Sequence, residues 1–173
     1  MILYQKKISK IPVLYLISIV LLLTTNISFA QKERNLKVLK TNKIGRIFYF
    51  NLSNKQNGIY KVFISYLGNL KATDQKIFKI LAWKSIWGAN HHTSGIVYIY
   101  DKDNKYMGKY NLGSAMDLPT KIKNNYLFFT NKLRDDCDSK LISQIDFSNG
   151  PPKEIFIKCK GEHGDVYSFS NEE

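Results

Sequence analysis

From Ile44 onward, aromatic and β-branched residues come in short runs, broken every ten to fifteen residues by clusters of Asn, Gly, Asp and Ser. Runs of that kind suit a pleated surface, and clusters of that kind turn a chain. Parallel strands would need crossover helices between them, and the pattern holds no series of helices. It therefore predicts an all-β, mainly antiparallel fold with seven or eight strands. One domain is expected, built as a sandwich, a barrel or a few propeller-like sheets.

The first pair is residues 44–53 and 59–67. Phe48, Phe50 and Leu52 alternate with Ile47, Tyr49 and Asn51, and the cluster from Asn54 to Gly58 turns the chain. Residues 76–87 admit two readings. Thr73 and Asp74 suit a helix start, and Ile77, Ile80, Leu81, Lys84 and Trp87 fall at helical spacing, which allows one short helix near residues 74–87. As a strand, the same segment puts apolar side chains on both faces, which suits a buried central position. Its Trp, Ile and Phe favour that reading.

Residues 95–100 and 106–112 form the clearest hairpin. With a loop at 102–104, Tyr100 faces Tyr106, Tyr98 faces Gly108 and Ile96 faces Tyr110. That register gathers Tyr98, Tyr100, Tyr106 and Tyr110 on one face and puts Val97, Ile99 and Met107 on the other. Residues 126–130 make a further strand. Residues 141–147 and 154–160 read as a last hairpin, turning from Ser148 to Pro152, with Ile145 facing Ile155 and Leu141 facing Cys159. A final strand over 166–169 precedes a polar tail, 171–173.

A leader stands before these strands. Lys6, Lys7 and Lys10 precede an uncharged apolar run, residues 11–23, and the stretch ends Ser28, Phe29, Ala30. Residues 1–30 are expected to be a cleaved secretory signal peptide, because the run is short for a bilayer span and the exit carries small residues. About 140 residues then remain, enough for one domain with a hydrophobic core and no membrane span. Residues 31–43 read as a polar, Lys-rich arm and residues 44–170 as the β-rich domain. The expected location is secreted or periplasmic, in a bacterium.

Export bears on the two cysteines. Cys137 and Cys159 are the whole set, and an oxidising compartment lets them bridge. In the hairpin register above they do not face each other, so the loop 135–139 must curl back over the hairpin. Export also bears on charge. Lys and Arg number 26 against 14 Asp and Glu, yet only Arg34, Arg46 and Arg134 are arginines. Arginine supplies the forked donors that recognise phosphate, so nucleic acid is disfavoured. Lysine excess leaves attraction to anionic envelope polymers, or simple solvation of exposed strand faces.

Few residues suggest chemistry. The histidines are His91, His92 and His163. A metal centre would draw one or both of the loop histidines His91 and His92, with His163 and Asp165 or Glu162, but no ligand motif of known spacing is present. Ser94, His92 and Asp165 supply the residue types of a triad without its nucleophile elbow. Asp135, Asp136 and Asp138 crowd around Cys137, as turn residues do. No cofactor or metal is expected, and the balance points away from an enzyme. The expected function is binding of a protein or an anionic envelope polymer, with an inhibitor or immunity-type protein as the specific form. The tyrosine face and the three histidines are the candidate contacts. The alternatives are a secreted hydrolase or metal-dependent enzyme using His92, His163 and Asp165, and a structural subunit that adds an edge strand to an envelope assembly.

Overall fold

Residues 76–87, the segment open to two readings, form a strand whose side chains enter two cores, and the architecture follows from it. In the computed structural model, which describes residues 30–56 and 58–172, ten strands follow in chain order. They are β1 (Ile47–Asn51), β2 (Tyr60–Lys71), β3 (Ile77–Trp87), β4 (His92–Asp101), β5 (Tyr106–Asn111), β6 (Lys121–Lys123), β7 (Tyr126–Thr130), β8 (Ile142–Asp146), β9 (Glu154–Lys160) and β10 (His163–Ser170). A short 3-10 turn, Ala115–Asp117, lies between β5 and β6. The expected signal peptide lies, but for Ala30, outside the described residues. The chain divides after Arg34. Residues 30–34, at the end of the first part, are helical; Asn35–Glu173 carry the fold.

All pairings between these strands are antiparallel, as the turn spacing predicts. One sheet has seven strands in the order β1-β2-β3-β4-β5-β10-β9, and the other has three in the order β6-β7-β8. The two face each other as a sandwich. Leu127 and Phe129 of the small sheet bury against Leu70, Phe78, Ile80, Val97, Ile99 and Tyr110 of the large one.

The other face of the large sheet is covered over β2, β3 and β4. Residues 35–41 are helical (α1), and Val38 and Leu39 pack on Val62, Ile64, Leu81, Trp83, Tyr98 and Tyr100. This stretch belongs to the segment read above as a polar arm. Its lysines, Lys37 and Lys40, are exposed, whereas Val38 and Leu39 are only 0% and 3% exposed. A short apolar stripe between lysines is enough to cover a sheet when the sheet already presents an apolar face.

Being covered on both sides explains β3. Phe78 and Ile80 enter the inter-sheet core, while Leu81 and Trp83 enter the core under α1. The helix near residues 74–87 is therefore not formed. Asp74 instead makes the β2–β3 turn, its Oδ1 accepting from the Lys76 N–H at 3.1 Å, and Thr73 Oγ1 donates to the Ser148 carbonyl at 3.0 Å.

Two registers differ from expectation. In the β4–β5 hairpin Tyr100 does face Tyr106, but a bulge follows between Ile99 and Tyr100, so Ile99 pairs with Gly108, Tyr98 with Lys109 and Val97 with Tyr110. A one-residue slip moves every later side chain to the opposite face. Tyr110 therefore joins Val97 and Ile99 in the inter-sheet core, leaving Tyr98, Tyr100 and Tyr106 under α1. Gly108 makes the slip tolerable: the Phe169 ring lies where a Cβ would sit, 2.2 Å from its Cζ.

The last expected hairpin is not formed. β8 pairs with β7, from Tyr126 opposite Asp146 to Thr130 opposite Ile142, and β9 pairs with β10. Pro151 and Pro152 have no N–H to extend a ladder, so the segment from Phe147 to Lys153 crosses from one sheet to the other. Ile145, Ile155 and Ile157 still meet in one core, reached from two sheets rather than one hairpin.

Candidate functional site

The loop after β7 brings together the densest polar cluster among the described residues. Asn131 is buried and anchors it, its Nδ2 donating to the carbonyls of Lys158 at 2.9 Å and Asp138 at 3.1 Å. Three residues on, the Arg134 guanidinium reaches three carboxylates. Its Nη1 donates to Asp117 Oδ1 and Asp165 Oδ2, both at 2.9 Å, and Nη2 donates to Asp136 Oδ2 at 2.8 Å. Tyr167 donates its hydroxyl to the other Asp117 oxygen at 3.1 Å. Asp117 comes from the 3-10 turn, which Ser114 caps through the Met116 N–H. Asp165 and Tyr167 come from β10.

Burial is uneven across this cluster. The side chains of Asp117 and Arg134 are 5% and 14% exposed, whereas Asp165 and Asp136 are 47% and 66% exposed. The hydrogen bond from Arg134 holds the Asp136 carboxyl below its usual range. Bonds to Asp136 and Asp165 push the Arg134 guanidinium further up. Burial first, and then the charge of Asp117, raise the Tyr167 phenol. Every carboxylate is engaged with the one guanidinium. The arrangement clamps a loop, a turn and a strand together, and it leaves no acid and base facing a common space.

The disulfide closes the same loop. Cys137 bridges Cys159 on β9, and the Asp138 N–H donates to the Cys159 carbonyl at 2.8 Å. The loop thus curls back over β9, as the bridge requires. Asp138 also makes the local turn expected of these aspartates, accepting from the Lys140 N–H at 2.9 Å.

The histidines are dispersed. His91 closes the turn after β3 with φ 52°. His92 opens β4 opposite Trp87, with ring centroids 4.9 Å apart. His163 opens β10 opposite Lys160, and Asp165 is held by Arg134. Among the described residues, the group of three or more ligand-type side chains within 4.8 Å of one another is Asp136, Cys137 and Cys159, whose sulfurs are already bonded to each other. His92, His163 and Asp165 form no such group.

Tyr98, Tyr100 and Tyr110 are interior, and Tyr106 is partly buried. Tyr98 and Tyr100 pack under α1, and Tyr106 lies beside them with ring centroids at 6.4 and 5.8 Å. Tyr110 is fully buried on the other face, donating its hydroxyl to the Pro152 carbonyl at 2.6 Å. The four do not share one face, because the bulge moves Tyr110 to the other side, and α1 covers Tyr98 and Tyr100. Burial raises the phenols of both Tyr110 and Tyr167 above the ordinary 10.0. A proton held more tightly in the folded state stabilises fully below the unfolded value, and that contribution is lost as pH rises past it. The melting temperature is therefore expected to fall above about pH 10, and Tyr110→Phe should make that fall shallower. Equal alkaline slopes in thermal melts of the two proteins would contradict the assignment.

Two parts of the large sheet stay open: the paired Phe156 and Val166 on β9 and β10, 39% and 59% exposed, and the end at β1. The small sheet stops short of β1. Ile47 and Tyr49 are therefore 67% and 52% exposed. They lie opposite Ser65 and Phe63 of β2, with the Tyr49 and Phe63 rings 5.1 Å apart. Lys84 of β3 follows, its Nζ 5.9 Å from the Phe63 ring centre. A shallow hollow of about 180 Å³ runs from Ile47 and Phe63 to Leu118 and Pro119, where the cover ends. A larger cleft, about 390 Å³, lies between the β2–β3 and β4–β5 turns over Ile77, Phe78 and Met107. Its rim charges pair within each turn, Lys76 with Asp74 and Lys102 with Asp103.

Sequence reasoning did not single out Arg134, Asp117 or Tyr167. The available signal was the scarcity of arginine, one of which stands directly before Asp135 and Asp136. Asp117 and Asp165 lie 17 and 31 residues away, too far for any local pattern. Ile47 and Tyr49 were visible as one side of an alternating strand, but which side is covered depends on the small sheet. No protein-family model, curated protein or solved structure matches this chain.

Proposed function

We propose that this protein is an exported module that works by binding another protein, and that the open end of the large sheet is its contact surface. One observation carries the reading. Ile47 and Tyr49 stand exposed beside Phe63, on the face of the large sheet whose middle is buried under the small sheet. Apolar residues gathered on a rigid, uncovered surface mark a place where a partner excludes water. The disulfide supports an oxidising location. Among the described residues no helix is long and apolar enough to cross a membrane. A flat aromatic and aliphatic face suits a protein surface better than an anionic polymer, which lysines alone would hold.

The test compares the mature chain with the double variant Ile47→Asp, Tyr49→Asp, each immobilised and exposed to its own envelope fraction. Both positions are exposed, so the melting temperature is expected to stay within a few degrees of the parent. The expected result is a retained protein that the double variant loses by about tenfold or more, reproduced with that partner purified. Retention of an anionic glycan instead, equal for both proteins and lost in salt, would overturn the reading.

A further inference from the structure

The two ends of the seven-stranded sheet are finished differently. At one end, β9 is capped over its last residues. Its Lys158 N–H donates to Ser143 Oγ at 2.8 Å, its Cys159 carbonyl accepts from the Asp138 N–H, and Asn131 caps the Lys158 carbonyl. At the other end, β1 has no partner strand on its outer side among the described residues. Edge strands are usually blunted by a charge, a proline or a bulge. β1 reads Ile-Phe-Tyr-Phe-Asn and has none of these.

The register shows which groups face outward. The Leu52 N–H donates to the Tyr60 carbonyl at 2.8 Å, and Phe50 pairs with Val62. Bonded pairs alternate along an antiparallel ladder, so Phe48 and Phe50 spend their backbone groups on β2. The N–H and C=O of Ile47, Tyr49 and Asn51 then point to the open edge. The same three residues carry their side chains on the uncovered face.

The surroundings indicate the partner's charge. From Asn35 to Thr73 the chain has seven Lys or Arg and no Asp or Glu. Lys61 and Lys84 lie on the open face itself, opposite Asn51 and Phe63 respectively. A second copy of this chain would bring like charges together along the seam, whereas an acidic segment would be attracted.

Resting on the binding reading above, we infer that the partner supplies an extended acidic segment that pairs with β1 as an added strand, its alternate apolar side chains lying over Ile47 and Tyr49. Main-chain bonds to Ile47, Tyr49 and Asn51 would give affinity, and the lysines would select the acidic sequence.

The probe is a capped seven-residue peptide alternating valine with glutamate, added to the mature, disulfide-bonded protein at a few millimolar while amide exchange is followed by NMR. The amides of Ile47, Tyr49 and Asn51 are expected to slow about threefold or more, while those of Phe48 and Phe50, already bonded to β2, change little. A peptide alternating valine with lysine, and one N-methylated on the amides that face β1, should have no such effect. The variant Tyr49→Pro removes an outward N–H without touching the β2 ladder, and should abolish the slowing while leaving the melting temperature nearly unchanged. Unchanged exchange at the three amides, equal effects from the lysine peptide, or sedimentation of the protein as a dimer through this edge would each overturn the inference. If Ile47→Asp, Tyr49→Asp loses a natural partner that never slows those amides, strand addition falls and the face itself remains the contact.

Discussion

Arg134→Met is expected to lower the unfolding free energy by about 3 kcal/mol, read from urea denaturation at neutral pH. The substitution keeps most of the side-chain volume and removes the charge. It leaves the Asp117 carboxylate, 5% exposed, without its guanidinium, and breaking one partner from a buried pair is the costly case. Asp165 and Asp136 are 47% and 66% exposed and can turn to water, so the figure sits at the low end of the range for buried pairs. The double variant Arg134→Met, Asp117→Leu should recover about 1 kcal/mol or more, because no stranded charge remains. A single variant within about 0.5 kcal/mol of the parent would show that the cluster does not clamp the loop. Acid titration gives a second reading. The Asp136 carboxyl is held below the ordinary 3.8 by Arg134. That contribution is present above the unfolded value and is lost as pH falls through the folded one. Arg134→Met should therefore show a shallower loss of stability below about pH 4 than the parent.

The second large effect belongs to the disulfide. Reduction opens a loop of 22 residues, worth about 3 kcal/mol in the chain-entropy account. The melting temperature is expected to fall by about 10 °C under reducing conditions. An unchanged melt, with two titratable thiols in the untreated protein, would remove the bridge. Both effects act on the same loop, since Cys137 lies three residues beyond Arg134 and Asp138 bonds to β9. Reduction and Arg134→Met should therefore fall short of additivity, the second change costing less once the first has freed the loop.

The two predictions also mark where reading the chain stops. Local signals located β7 to the residue and read β3 as a buried strand from its two apolar faces, because alternation and turn clusters are properties of neighbouring residues. The tyrosine face failed on a single bulge in the β4–β5 hairpin. Tyr100 and Tyr106 pair as expected, and the slip beyond them depends on Phe169 lying over Gly108 from a strand some sixty residues later. The helix over Val38 and Leu39 was hidden for a similar reason: a short helix is marginal on its own, and it is the apolar face of the large sheet that supplies its partner.

The all-β class, the antiparallel pairing and the match of Cys137 with Cys159 were determined by the sequence itself, through side-chain period, turn chemistry and the presence of just two thiols. Which faces are buried, which edge is left open and where Arg134 finds Asp117 and Asp165 were decided only in the tertiary structure. Those outcomes depend on how two sheets and a helix share out apolar area and charge between segments far apart in the chain, and no local pattern carries that information.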